Sequence, residues 1–141
     1  TRAIKKENCG KALLDDIERL HDEAPACPGQ LKSILKNKMV RAVKFATAVA
    51  TNSANEFECR RASAGLYNAK TATLLATEGA KLGAEGGDAR RLILSRLVLD
   101  FRLTPKDPLA LEESEFQKEA AKLLISDASV DLDKAIHLTS L

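Results

Sequence analysis

The stretch from Asn55 to Arg102 constrains the fold more than any other part of the chain. Its first half is small and smooth: Ala62, Ala64, Ala69, Ala72, Ala76 and Ala80 recur, with Leu66, Tyr67, Leu74, Leu75 and Leu82 as larger apolar members. Its second half, after the turn at Gly86-Gly87-Asp88, is bulky, with Leu92, Ile93, Leu94, Leu97, Val98, Leu99 and Phe101 close together. Alanine lets a helix axis approach its neighbours, and large aliphatics fill the space beside it. The two halves therefore read as a pair of antiparallel helices at the centre of a bundle. Asn55 is suited to cap the first, which is expected from Glu56 to Leu82. Gly65 and Gly79 lie inside it, each at a cost of about 1 kcal/mol against alanine, so tight crossings are expected at both. Asp88 is placed to cap the second helix, which must end before Pro105. Its density of large side chains predicts cover on more than one side.

The flanking segments follow the same logic. In residues 1–24, Leu13, Leu14, Ile17 and Leu20 form one apolar stripe, which predicts a helix, or two short ones meeting near Gly10. Pro25, Pro28 and Gly29 stop it. From Gly29 to at least Ala50, Leu31, Leu35, Met39, Ala42, Ala46 and Val49 make a near-heptad seam, widened by Ile34 and Phe45. Pro105 and Pro108 stiffen a connector to a fifth helix, expected from Glu112 to Ser126, with Phe116, Ala120, Leu123 and Leu124 facing inward. Glu112, Glu113 and Glu115 fall in its first turn, where the helix dipole favours anions. Residues 127–141 are expected as a tail holding one short helix around Leu132 to Ile136, docked by Ile136 and Leu138. The fold class is therefore all-α: an antiparallel helical bundle of four to five helices over residues 1–126, followed by the tail.

Composition narrows the function classes. At 141 residues the chain is one domain, long enough to bury a core without disulfides. Aromatics are only 4% and Trp is absent, which argues against a single-stranded nucleic-acid reader built on base stacking. A net charge of +2 implies no global field for polyanions. Cys9, Cys27 and Cys59 cannot all pair within one chain and match no metal-binding spacing. They read as free thiols in a reducing compartment, so an intracellular location is expected, in the cytoplasm or an organelle matrix. No apolar run approaches the ~20 residues that cross a bilayer, and no signal peptide is visible. The chain begins at Thr1, not Met, which suits a processed protein or a piece of a longer one.

Few motifs carry chemistry. Glu18-Arg19-Leu20-His21 has the Glu-x-x-His spacing of di-iron bundles, but those need two copies, and His137 has no Glu three residues before it. It reads instead as a helix end, with His21 favourable near the C-terminal dipole. No nucleophile elbow is present, and Gly83 to Gly87 follows a helix and lacks the Lys-Ser/Thr of a phosphate loop. Catalytic, cofactor-binding and metal residues are therefore assigned to none of the positions. Lys32, Lys36, Lys38, Arg41 and Lys44 form a run of positive charge with no acid between them, a candidate surface for an anion or a nucleic-acid backbone. The competing reading is a solvated helix face. Arg96 stands among Leu92, Ile93, Leu97 and Val98, where a guanidinium needs a partner; Asp100, one turn on, is the nearest acid.

Two segments together resemble a known arrangement. One is Arg60-Arg61-Ala62-Ser63-Ala64-Gly65-Leu66-Tyr67, followed by Ala69, Ala72, Leu74-Leu75 and the glycine turn. The other is Asp88-Ala89-Arg90-Arg91-Leu92, followed by Arg102-Leu103-Thr104-Pro105-Lys106-Asp107-Pro108-Leu109. The pattern resembles the extra C-terminal helical domain of long-form acyl-CoA dehydrogenases, including the AidB-like branch, over residues 1–110. Thr1-Arg2-Ala3-Ile4-Lys5-Lys6 is similar to the helix that leaves the catalytic core in that family. The resemblance implies a non-catalytic structural and oligomerisation domain. Its partners would be a catalytic core or other subunits, and FAD would be held by the parent protein and not by this chain. The family's catalytic Glu and its flavin-contacting glycine segment have no counterpart here. The alternative expectation is a free-standing interaction module that binds a partner helix, or a polyanion through the basic run.

Overall fold

The computed structural model describes residues 8–52, 55–109 and 113–140. Among them every regular element is helical: α1 (Cys9–Asp22), α2 (Gly29–Thr51), α3 (Glu56–Ala84), α4 (Arg90–Val98), α5 (Glu115–Ile125) and α6 (Leu132–Thr139). A single π-helical turn, Leu99–Leu103, extends α4. Five of these helices lie within residues 1–126, and the sixth lies in the tail, where it runs on to Thr139, past the Leu132 to Ile136 stretch expected for it. Asp131 caps it by accepting from the Lys134 amide at 2.8 Å, and its buried Ala135 and Leu138 repay the ordering of the chain. Residues 1–7, where the opening helix was also expected, lie outside the described residues.

Helix ends follow local chemistry. Asn55 caps α3 by accepting from the Glu58 amide at 2.9 Å. Gly86, at φ +83°, supplies the left-handed residue of the turn that follows α3. Asp88 stands one residue before the cap position of α4. Its Oδ1 accepts from the Arg90 amide at 3.0 Å and from the Val130 amide at 3.2 Å, so the same carboxylate starts α4 and ties down the strand of chain ahead of α6. The fifth helix begins later than expected. Ser114 closes a capping box with Gln117, so Glu115 alone is left in the first turn. Residues 110–112, including Glu112, are outside the described residues.

The main apolar cluster joins the start of α2, the C-terminal half of α3 and helices α4, α5 and α6; Leu35, Ala76, Leu92, Ile93, Phe116, Val130 and Leu138 are among its members. Two smaller clusters continue it, one around Ile17, Met39 and Ala69, the other around Ala46, Val49 and Ala62. The α3–α4 crossing is the tightest point. A Cβ on Gly79 would overlap the backbone nitrogen of Leu92 and stand 2.9 Å from the Arg91 carbonyl carbon. Nearby, the buried Ser95 hydroxyl donates to the Ala72 carbonyl at 2.7 Å. Gly65 differs from expectation: a Cβ there would sit 3.8 Å from the Ala42 Cβ, ordinary contact distance. Alanines flank that crossing, so glycine is not needed for the approach.

Candidate functional site

The basic run does not gather on one face. At about 100° per residue, its members spread over three sides of α2. Lys32 turns toward α1 and donates to the His21 carbonyl at 2.8 Å, and Lys36 pairs with Glu18 at 2.6 Å. Lys38 leaves from the opposite flank and donates to the Leu103 carbonyl at 2.8 Å. Arg41 and Lys44 point to solvent, with no ion-pair partner among the described residues. Three of the five cations therefore brace α2 against its neighbours, and two remain free.

Arg96 is the centre of the best-defined polar cluster. Its Nε donates to Asp100 Oδ1 at 3.0 Å and its Nη1 to the Thr139 carbonyl at 2.6 Å, near the C-terminal end of α6. Its guanidinium carbon lies 5.0 Å from the centroid of the buried Phe116 ring. One side chain thus links α4, α5 and α6 through an ion pair, a charge-assisted hydrogen bond and a cation–π contact. Two clefts meet there and share Arg96, Asp100 and Thr104. The larger holds about 300 Å³ and also reaches Lys38, Leu31, Ile34 and Ser140. The π-helical turn forms one wall of these clefts, and the Thr104 hydroxyl donates to the Leu99 carbonyl that the widened turn leaves available. Arg96 and Lys38 already direct donors to protein carbonyls or to Asp100, so the cluster reads as a clasp between helices.

The other titratable groups offer little chemistry. Burial, and secondarily the nearby Lys32 and Lys36, push the His21 pKa below its ordinary value, and its Nε2 is buried without a hydrogen-bond partner. Glu18, the other half of the Glu-x-x-His spacing, is engaged by Lys36. Burial raises the Cys27 thiol to about 11, which leaves it protonated and unreactive near neutral pH. Cys9, Cys27 and Cys59 are free cysteines. Among the described residues no three His, Cys, Asp or Glu side chains converge on a metal-sized site, and no helix is long and apolar enough to cross a membrane.

The outward face of α3 is the feature that the sequence reading missed. Ala62, Ala69, Ala72, Ala76 and Ala80 turn inward, while Phe57 (67% exposed), Tyr67 (71%), Leu74 and Leu82 turn to solvent. Arg61 covers part of the Phe57 ring at 5.8 Å from its centroid. Ala64 and Thr71 lie between these residues on the same side of the helix. These large residues look like core members in the sequence, because alanine and leucine are both apolar. The signal that separates them is size: the fully buried positions from 62 to 80 are all Ala, Gly or Thr, and of the large residues in that range only Leu66 packs against the inner clusters. No protein-family model matches the chain, and no curated protein or solved structure does either.

Proposed function

We propose that this chain is a non-catalytic helical assembly domain, an antiparallel bundle whose longest helix presents its outward face to a partner. The observation that carries this reading is the apolar stripe on α3, a helix of 29 residues with small side chains inward and Phe57, Tyr67, Leu74 and Leu82 outward. A helix that buries small residues on one side and exposes large apolar ones on the other suits a position between two packed layers, and large apolar side chains exposed on one helix face mark an interaction surface. The antiparallel arrangement is supported by pairs that run in opposite order along neighbouring helices, as with Gly79 to Leu92 and Ala72 to Ser95. In this reading the parent is a flavin-dependent acyl-CoA dehydrogenase-like protein that binds FAD outside this chain, and the α3 face meets its catalytic core or a neighbouring subunit.

Two measurements test the proposal. The coding sequence upstream of Thr1 should encode a flavin-binding core; its absence would remove the dehydrogenase parent and leave the free-standing interaction module. In the full-length protein, Tyr67→Glu with Leu74→Glu should lower the mass of the assembly in sedimentation velocity while helicity and thermal midpoint stay near wild type. An unchanged mass would remove α3 as the contact surface. The polyanion reading rests on Arg41 and Lys44 alone, the two cations of the run left without partners. Binding to duplex DNA through them would weaken with salt at a slope of only about −1.8, at about −0.9 per neutralised phosphate. A slope that survives Arg41→Ala with Lys44→Ala would end that reading.

A further inference from the structure

We infer that the partner of the α3 face is the α3 face of a second copy of this chain, laid antiparallel about the level of Ala69. This rests on the assembly reading above and adds to it the identity of the partner and the register. The argument is one of self-complementarity. Arg60 and Glu78 lie about five helical turns apart, so they share one angular position on α3. Each stands about 14 Å from the level of Ala69, on opposite sides of it. Turning a second α3 end for end about that level sets Arg60 of each copy opposite Glu78 of the other. Between these pairs Ala64 meets the large Leu74 and Tyr67 meets the smaller Thr71, while toward the ends Phe57 and Leu82 lie at the levels of Lys81 and Glu56, against whose aliphatic stems they can pack.

The ends of the helices agree with the same register. On the same face the first turn of α3 carries Glu56 and the last turn Lys81, which also pairs with Glu23 of its own chain, so antiparallel copies bring this acid and base to the same end as well as opposing their dipoles favourably. A two-fold axis makes every such contact occur twice, as a closed dimer requires. Within one chain Arg60 pairs with Glu56, and Glu78 with Arg91. All four of these side chains are at least half exposed, so their pairs are weak and can be shared with a second copy. A parallel arrangement would instead bring Arg60 against Arg60 and Glu78 against Glu78, which disfavours it.

The test is a charge swap in the full-length protein, followed by sedimentation equilibrium. Wild type should form a dimer. Arg60→Glu alone and Glu78→Arg alone should each raise the dissociation constant at least about tenfold, since like charges then oppose across the axis. The double variant carrying both changes should return it to within about threefold of wild type, because the exchanged charges again face each other. If a reversal unfolds the chain, as read by circular dichroism, Arg60→Gln and Glu78→Gln replace the reversals, and each should weaken the dimer without repulsion inside the chain. Dimers that are insensitive to these changes but lost in Tyr67→Glu with Leu74→Glu overturn the register and leave the assembly reading intact. A protein that stays monomeric at all concentrations overturns self-pairing, and the coding-sequence and assembly-mass experiments then judge the assembly reading separately.

Discussion

Single residues set the close approaches and the polar ties of this bundle. Gly79 and Gly65 look alike in the sequence and differ in the fold. Gly79→Ala drives a Cβ into the Leu92 backbone, which cannot yield as a side chain can, and should destabilise by about 1–3 kcal/mol or more in urea unfolding. Gly65→Ala meets only ordinary contact with Ala42 and should stabilise by about 0.5–1 kcal/mol through helix propensity. Arg96→Met strands Asp100 and removes the donor to the Thr139 carbonyl. Arg96 and Asp100 retain 22% and 21% of their side-chain exposure, so the cost should fall between an exposed and a buried pair, at about 2–3 kcal/mol. Arg96→Lys should recover less than half of it, because a compact ammonium lacks the planar fork whose separate nitrogens reach Asp100 and Thr139 while the guanidinium carbon stays 5.0 Å from the Phe116 centroid. The Arg96–Asp100 contact was legible in the sequence from its spacing of one helical turn. The other two partners, Thr139 and Phe116, come from distant segments and leave no local trace.

At the scale of elements, the stops and starts written in Pro, Gly and capping residues decide where each helix lies. Asn55, Asp131 and Ser114 each accept from a backbone amide in the first turn they open. Ser114→Ala removes the side-chain half of a reciprocal cap, the hydroxyl that accepts from the Gln117 amide, and should cost about 1 kcal/mol, measured by chemical denaturation. It should also speed amide exchange in α5 more than in α3, since the loss is local. The basic run shows why an element's surface is harder to read than its ends. Its five cations are close in sequence, yet helix geometry sends them to three sides, and packing then decides which are engaged. The charges belonged to the sequence; the carbonyls of His21 and Leu103 that receive Lys32 and Lys38 were placed by tertiary structure.

Across the whole molecule, pH should act in two stages. The folded-state pKa of His21 lies below its ordinary 6.5, through burial first and then Lys32 and Lys36, while Asp22 and Glu18 oppose the shift. Below pH 6.5 the unfolded chain therefore takes up a proton that the folded chain resists, and stability falls until the lowered folded value is passed. His21→Gln should flatten that part of the stability–pH curve. The carboxyls of Glu18 and Glu23 are held below their ordinary range by hydrogen bonds from lysines, with Arg19 helping at Glu23. Burial raises the Asp88 carboxyl, but the Arg90 and Val130 amides and the Arg90 charge together outweigh it. The stability these three contribute is present above their ordinary pKa values and is lost as pH falls through the lowered folded ones. Urea midpoints measured from pH 7 to pH 2 should show both declines; a single decline below pH 4 in wild type would contradict the role of His21. The sequence by itself determined the helices, because apolar period, caps and breakers are local properties that neighbouring residues carry together. It also made a close approach of α3 to its neighbours available, since alanine recurs along it at positions 62, 69, 72, 76 and 80. Only the tertiary structure decided which side of α3 those alanines occupy, and so that Tyr67 and Leu74 face solvent. That choice depends on what α2 and α4 cover, which is a contact between distant segments and not a pattern within one.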